Sequence, residues 1–392
     1  LVRIRSVFEP DKGRTEAEAA NYVAKTLRAL GLNTVVEEAA PNRPNVVADW
    51  QGAAFDPKHH KTLMLEGHTD VVTEGDPDRW RYPPFAGVLE GGRLYGRGAC
   101  DMKAGVAAAI AATQALIKAQ PDLPGRIRLG IVVDEEGMMT GIKHFVRQGW
   151  ADEVDGAIIC EPEELELCLV QKGAMRVVAT VHGVMAHGAM PYAGVNPVPA
   201  LATFIAGVSE IEAAEQARVG KHEHLGRPWL TPTVLRAPAA GEQQLNVMPE
   251  SAMVALDIRT VPGQDHRAIY AQLEALAKEI ETRDERLRVE LELLEERPWT
   301  ETPAGDPLVK ALERAYPAVL GSPPRYGGVP GATDGTFLRA WAHIPIVTVG
   351  PGKREVPHQR DEYIDCDEIV AAARLYAAAA VYFFYASPDA TA

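Results

Sequence analysis

Cysteine is scarce in this chain. Its four thiols, Cys100, Cys160, Cys168 and Cys366, are spread over 392 residues with no CxxC pair among them. That excludes a disulfide-stapled scaffold, and reduced thiols in a cytoplasmic protein are expected. Long apolar runs are also missing. The run Leu375 to Ala386 is 12 residues long, short of the roughly 20 that cross a bilayer, so it reads as a buried terminal helix. Positive charge is in deficit, with 40 Lys and Arg against 54 Asp and Glu and a formal charge of -14. Such a surface repels phosphate backbones and anionic lipid, so neither nucleic acid nor membrane is expected as a partner. The opening Leu1-Val2-Arg3-Ile4-Arg5 has no apolar core and cleavage site of a secretory signal.

What is present is the ordinary material of a globular protein, 46% hydrophobic and 24% charged. The length exceeds the roughly 250 to 300 residues at which one core stops growing, which requires at least two domains. Apolar spacing predicts a helix over 14–31, strands over 45–49 and 61–66, an Ala-rich helix over 104–118, and strands over 127–133 and 157–160. That alternation is the pattern of an α/β sheet covered by helices. From Met175 the order becomes strand 175–182, helix 199–211, strands 233–237 and 252–259, helix 266–280 and strand 287–293. β-α-β-β-α-β is the order of a ferredoxin-like unit. After Pro298 the α/β texture resumes. The expected organisation is a larger domain in two parts, 1–174 and 297–392, with a smaller domain, 175–296, inserted between them.

Residues with metal or acid-base chemistry collect at the ends of the predicted strands. His68 and Asp70 follow the apolar Leu63-Met64-Leu65; in an extended segment both point to one side, where a carboxylate can fix the imidazole tautomer for a metal. Alone, this reads rather as a solvated strand end. Gly96 to Lys103 runs into the Ala-rich helix, and Asp101 there suits a cation or a helix cap better than a phosphate. Asp134-Glu135-Glu136-Gly137 follows Ile131-Val132-Val133. Adjacent carboxylates repel unless cations sit among them or the turn is fully solvated, and neighbouring side chains diverge, so one can bind metal while the next faces a substrate. Glu161-Pro162 follows Ile158-Ile159-Cys160, and His358 follows the strand expected over 344–349. Ligands gather at strand ends in open α/β sheets, and imidazole with carboxylate is the zinc set of hydrolytic sites. His59, His60, His182, His222 and His224 lack such company and read as surface residues.

Taken in order, GHTDVV, the stretch from Trp80 to Lys103 ending in YGRGACDMK, DEEG, EP and PHQRDEY resemble the dizinc amidohydrolases and peptidases. That family includes acetylornithine deacetylase, succinyl-diaminopimelate desuccinylase, aminoacylase and the glutamate-releasing carboxypeptidases. The resemblance covers nearly the whole chain. It implies a zinc-peptidase-like catalytic domain with a mixed sheet covered by helices, and an inserted ferredoxin-like α+β domain serving as lid and dimerisation surface. It makes His68 and Glu161 ligands of one zinc, Glu136 and His358 ligands of the other, and Asp101 the bridge. Asp70 then orients His68, and Glu135 is the general base. His187 matches a histidine that reaches the partner subunit's site, which implies a homodimer. Asn246 and Arg259 match substrate contacts, with Arg259 suited to a bidentate grip on a carboxylate, and Gly331 and Thr333 lie in a substrate-lining loop.

The implied activity is hydrolysis of the amide of an N-acyl amino acid or small peptide with a free carboxylate, of the acetylornithine deacetylase kind. A dipeptidase or carboxypeptidase is the alternative. The contrasting class is a metal-containing binder of peptides or amino acids without turnover, and Glu135 speaks against it because a binder needs no base. Zinc follows from ligand type; cobalt or manganese accept the same atoms. Two departures adjoin the pocket: Gly-Ala-Thr-Asp stands for Gly-Gly-Thr-Ser-Asp, and Glu161-Pro162-Glu163 for Glu-Pro-Thr. Glu163 is expected to repel acidic acyl groups, which argues against a desuccinylase.

Overall fold

The alternating strands and helices of the first half build one mixed sheet in the computed structural model of the protein, in which residues 1–386 are described. The chain forms two units: Leu1–Val170 with Glu301–Val329 and Thr333 onward, and Gln171–Thr300 with Pro330–Ala332. In the first unit, β1 (Asn33–Ala40), β2 (Arg43–Gln51), β3 (Lys61–His68), β4 (Gly125–Val132) and β5 (Gly156–Ile159) are the strands that matter most. Their order across the sheet is β1-β2-β4-β3-β5, continued by Ile346–Thr348 and Leu167–Gln171.

The central strands carry buried apolar stretches, Leu63-Met64-Leu65 in β3 and Leu129-Gly130-Ile131-Val132 in β4, because both faces are covered, although β4 also carries Arg126 and Arg128. Leu63, Leu65, Ile127 and Leu129 face a core shared with helices α1 (Ala17–Ala29), α2 (Ala104–Ala119) and Cys366–Phe384. Met64, Val132 and Ile159 alternate to the other face, where Ile142, Phe145 and Phe337 from two short helices meet them. By length and composition Ala99–Ala119 is apolar enough to cross a membrane, yet Val106, Ala108, Ala109, Ala112 and Leu116 are spent on this core.

Strand direction explains where the chemistry collects. β3 is parallel to β4 and β5, and β5 is parallel to Ile346–Thr348. His68 pairs with Val132, and Thr348 with Ile159, so four segments leave the sheet along one edge. β2 runs antiparallel to β4, with Val46 opposite Ile131, which puts its first residue, Arg43, at that edge too.

The second unit is a four-stranded antiparallel sheet in the order Trp229–Arg236, Ser251–Thr260, Gly173–His182, Arg288–Arg297. With helices Pro197–Val219 and His266–Arg283 between the strands it has the ferredoxin-like order. Burial alternates along Ser251–Thr260, and Val177, Val181, Phe204, Val254, Leu256 and Leu273 form its own core.

Candidate metal centre

β3 ends on Gly67-His68. A side chain at Gly67 would stand 2.8 Å from Met102 Cε and 3.1 Å from Val106 Cγ2, so glycine lets the strand end lie against α2. The buried His68 places Nδ1 3.0 Å from the backbone oxygen of Asp70 and 3.4 Å from Asp70 Oδ1. Nδ1–H is thereby the donor, and Nε2 turns to carboxylates: Asp101 Oδ1 at 3.2 Å and Glu161 Oε1 at 3.5 Å. The second oxygen of Asp101 lies 3.3 Å from His358 Nε2, which is 3.0 Å from Glu136 Oε1. Two sets of one imidazole and two carboxylates therefore share Asp101. Donor atoms of His68, Glu135 and Glu161 also lie within 4.8 Å of one another, so Glu135 adjoins the first set.

The donors fit metal ions. Around an ion with bonds of about 2.05 Å, tetrahedral neighbours stand about 3.3 Å apart, and the contacts above run from 3.0 to 3.5 Å. Charge points the same way. Burial, then repulsion from Glu161, pushes Glu135 well above the ordinary carboxylate range, and burial with Asp101 nearby pushes Glu161 up to about 7. Burial alone would lower His68, but Asp70, Glu161 and Asp101 hold its imidazolium well up. Bonds to Asp101 and Glu136 raise His358 to about 10. A surplus of buried carboxylate of this kind is what a cation relieves.

Sequence reasoning passed over the residues that hold these loops. Buried Glu362, four positions after His358, accepts from the backbone N–H of Cys100 (2.9 Å) and Asp101 (3.0 Å) through Oε1. Its Oε2 accepts from Gly98 N–H at 3.0 Å and Arg97 Nη1 at 2.5 Å. Arg97 Nη2 reaches the backbone oxygen of His358 at 3.3 Å. One acid thus ties the Asp101 loop to the His358 segment. The only signal for it was its place in PHQRDEY. Asp70 Oδ2 in turn accepts from Glu136 N–H at 3.0 Å, linking the two donor sets. Glu66 and Asp334 are buried nearby, and burial pushes both well above the usual carboxylate range.

Glu163, expected to repel an acidic acyl group, has a cationic partner. Its carboxylate is buried and bonded by Arg354 Nε, while Arg354 Nη2 pairs with Glu166 at 2.9 Å. Thr333 is buried, and its hydroxyl accepts from Gly335 N–H at 3.2 Å at the start of helix Gly335–Ala342.

His187, Asn246, Arg259 and Gly331 belong to the second unit. His187 is exposed on a two-residue ladder opposite Val247, and Gly188 N–H donates to the Asn246 carbonyl at 2.8 Å. His187 Nδ1 accepts from Ala189 N–H at 3.0 Å, which leaves Nε2 facing outward. The fork of Arg259 is engaged by Asp257, with Nε to Oδ1 at 2.6 Å and Nη2 to Oδ2 at 3.1 Å. Gly331 is half-buried.

Residues 64–382 match the profile described as peptidase family M20/M25/M40. A probable succinyl-diaminopimelate desuccinylase of Staphylococcus epidermidis is 28% identical over 375 residues, 90% of this chain and 89% of that protein. The succinyl-diaminopimelate desuccinylase of Gluconobacter oxydans is 30% identical over 395 residues, 96% of this chain and 94% of that protein. Among solved structures, an M20 family metallo-carboxypeptidase from Sulfolobus solfataricus has a TM-score of 0.78 over 97% of both chains at 19% identity. A di-peptidase from Saccharomyces cerevisiae has a TM-score of 0.75 over 99% of this chain and 95% of that one at 17% identity. These two likenesses concern the fold.

Proposed function

This chain belongs to peptidase family M20/M25/M40, and from that premise we propose that it hydrolyses the amide of an N-acyl amino acid with a free carboxylate, using two zinc ions. The observation that carries the reading is Asp101, whose two oxygens face two imidazoles, each with a further carboxylate of its own. His68 and Glu161 would hold one ion and Glu136 and His358 the other, with Asp101 available to both. A Bacillus subtilis protein of similar fold is described as a dinuclear metal binding peptidase, which supports the count. When bound there, such ions would supply a water of lowered pKa and polarisation of the scissile carbonyl.

The remaining steps fall to side chains. Glu135 takes the water's proton on its carboxylate and passes it to the leaving nitrogen; burial raises its affinity for that proton. Asp70 holds His68 in one tautomer. In the same reading His187 offers Nε2–H to the oxyanion of a partner subunit's site, so a homodimer is the active form. Asn246, Gly331 and Thr333 line the substrate, and Arg259 exchanges Asp257 for the substrate carboxylate.

A succinyl group is the favoured acyl part. The relatives named above are desuccinylases, and Arg354 removes the objection that Glu163 had raised. Amine release from N-succinyl and N-acetyl amino acids and from dipeptides, by protein reconstituted with Zn2+ or Co2+, tests this. Faster turnover of acetyl substrates or dipeptides moves the protein to the deacetylase or dipeptidase reading. No hydrolysis by metal-replete protein rejects the proposal. Glu135→Gln should cut kcat at least about 100-fold with metal content unchanged, and retained turnover would remove Glu135 as the base.

A further inference from the structure

We propose that a buried ion-pair chain, Glu16–Arg43–Asp134, is the positioning device that holds the Glu135-Glu136 turn in place. The inference rests on the preceding reading of Glu135 as base and Glu136 as a metal donor. The turn is exposed to slackness. It borders a cleft of 390 Å3 whose lining includes Phe8, Arg43, Asp70, Asp134 and Glu136, so packing does not support it on that side. Its backbone is also unusual, with Asp134 at φ +69°.

Polar anchors supply what packing does not. Asp134 Oδ2 accepts from the N–H groups of Met138 (3.3 Å) and Thr140 (3.2 Å) and from the Thr140 hydroxyl, while its backbone oxygen accepts from Met139 N–H at 2.7 Å. The other oxygen, Oδ1, faces Arg43 Nη2 at 2.8 Å. Arg43, 7% exposed, is itself fixed on two further sides. Its Nε donates to both oxygens of Glu16 at 3.1 and 3.0 Å, and its guanidinium lies over the Phe8 ring at 3.7 Å from the centroid. Glu16 is 0% exposed at the head of α1. Two residues along β2, on the same side of the strand, Asn45 accepts from Val133 N–H at 3.2 Å and donates to Gly141 O at 2.8 Å. The start of β2 thus grips the turn at its first residues, Val133 and Asp134, and at its far end, Gly141, and neither Glu16, Arg43 nor Asp134 is needed as a ligand. They act through Glu135 and Glu136.

The two donor sets make this testable, because Glu136 pairs with His358 at 3.0 Å in one of them and stands farther off, within 4.8 Å, from His68 and Asp101. Chelator-stripped wild-type protein, Arg43→Met and Arg43→Lys are titrated with Co2+ by calorimetry, with kcat, KM and the folded fraction measured alongside. Arg43→Met should weaken one of two ions roughly tenfold or more, the scale of lost support behind a ligand, and weaken the other distinctly less. Its kcat should fall with KM kept, and Arg43→Lys should recover most of both. Folded Arg43→Met with wild-type affinities and kcat overturns the proposal, as does equal weakening of both ions, which is what general loosening of the fold produces. Asp134→Asn provides a second variant if Arg43→Met does not fold; it should shift the same ion in the same direction, and no shift overturns the proposal. Wild-type protein that takes up fewer than two ions fails the functional reading instead, so the two failures are distinguishable.

Discussion

At Glu362 one carboxylate accepts from three backbone N–H groups and pairs with Arg97, all out of contact with water. A carboxylate so bonded is replaced by nothing of the same shape. Glu362→Gln loses the charge, turns one acceptor into a donor, and leaves the Arg97 guanidinium buried without its counter-ion. Breaking a buried pair from one side costs about 3–5 kcal/mol, so the variant should unfold at markedly lower urea, and Asp101 and His358 should both bind metal less well. A denaturation midpoint and a metal affinity equal to wild type would show that the anchor is dispensable. The contrast with His68, Asp101, Glu136, Glu161 and His358 explains what a sequence can reveal. The first four stand just beyond an apolar strand or at the start of a helix, a local pattern visible in a few residues, while His358 lies in a loop ten residues past Ile346–Thr348. Glu362 meets Arg97 across 265 residues, and Arg43 meets Glu16 across 27. Their partners are set by sheet order, which no local pattern contains. Arg259 was legible as a bidentate residue, but not that Asp257, two positions away, would occupy its fork.

Helix α2 shows how tightly one element can constrain another. Gly105 is buried in its first turn, and a methyl there would stand 2.0 Å from the backbone oxygen of Cys160, the residue before Glu161. In an exposed helix Gly→Ala gains about 1 kcal/mol. Here the neighbour is backbone and cannot rotate away, so the sign reverses. Gly105→Ala should destabilise by about 1–3 kcal/mol and weaken metal uptake through Glu161; a more stable variant by urea denaturation would disprove the argument. Elements were legible in proportion to their burial. β3, β4 and β5 are buried along most of their length and hold apolar stretches at their centres, and their ends fell close to where they were expected. β1 went unseen: it is a half-exposed edge strand whose Glu37-Glu38 breaks the alternation. Helices Thr140–Arg147 and Gly335–Ala342 have eight residues each, too few turns for a period to show. Helix Pro197–Val219 outruns its expected end because Glu212 to Val219, though largely exposed, is mostly good helix former.

Across the whole molecule, the two units have separate apolar cores, and all five proposed metal ligands lie in the first. An ion that binds only the folded state stabilises by about 4 kcal/mol at a thousandfold excess over Kd. Chelation should therefore speed hydrogen exchange in the core strands of the first unit and leave those of the second as they were. Equal loss in both units would contradict the assignment. Acid should reach the second unit by a different route. Buried Glu215 is bonded by Arg218 at 2.6 Å and Gln264 at 2.9 Å, and these bonds, Arg218 first, hold its pKa below the ordinary 4.5. A native pKa below the unfolded one means that the unfolded chain binds more protons between the two values. The stabilisation is then complete above about pH 4.5 and is lost as pH falls through the depressed native value. Glu215→Gln should flatten that acid limb for the second unit, read as exchange protection of Gly173–His182 and Ser251–Thr260 between neutral pH and about pH 3, without moving the metal dependence of the first. An acid limb of unchanged slope in the variant would place the acid sensitivity of the second unit elsewhere.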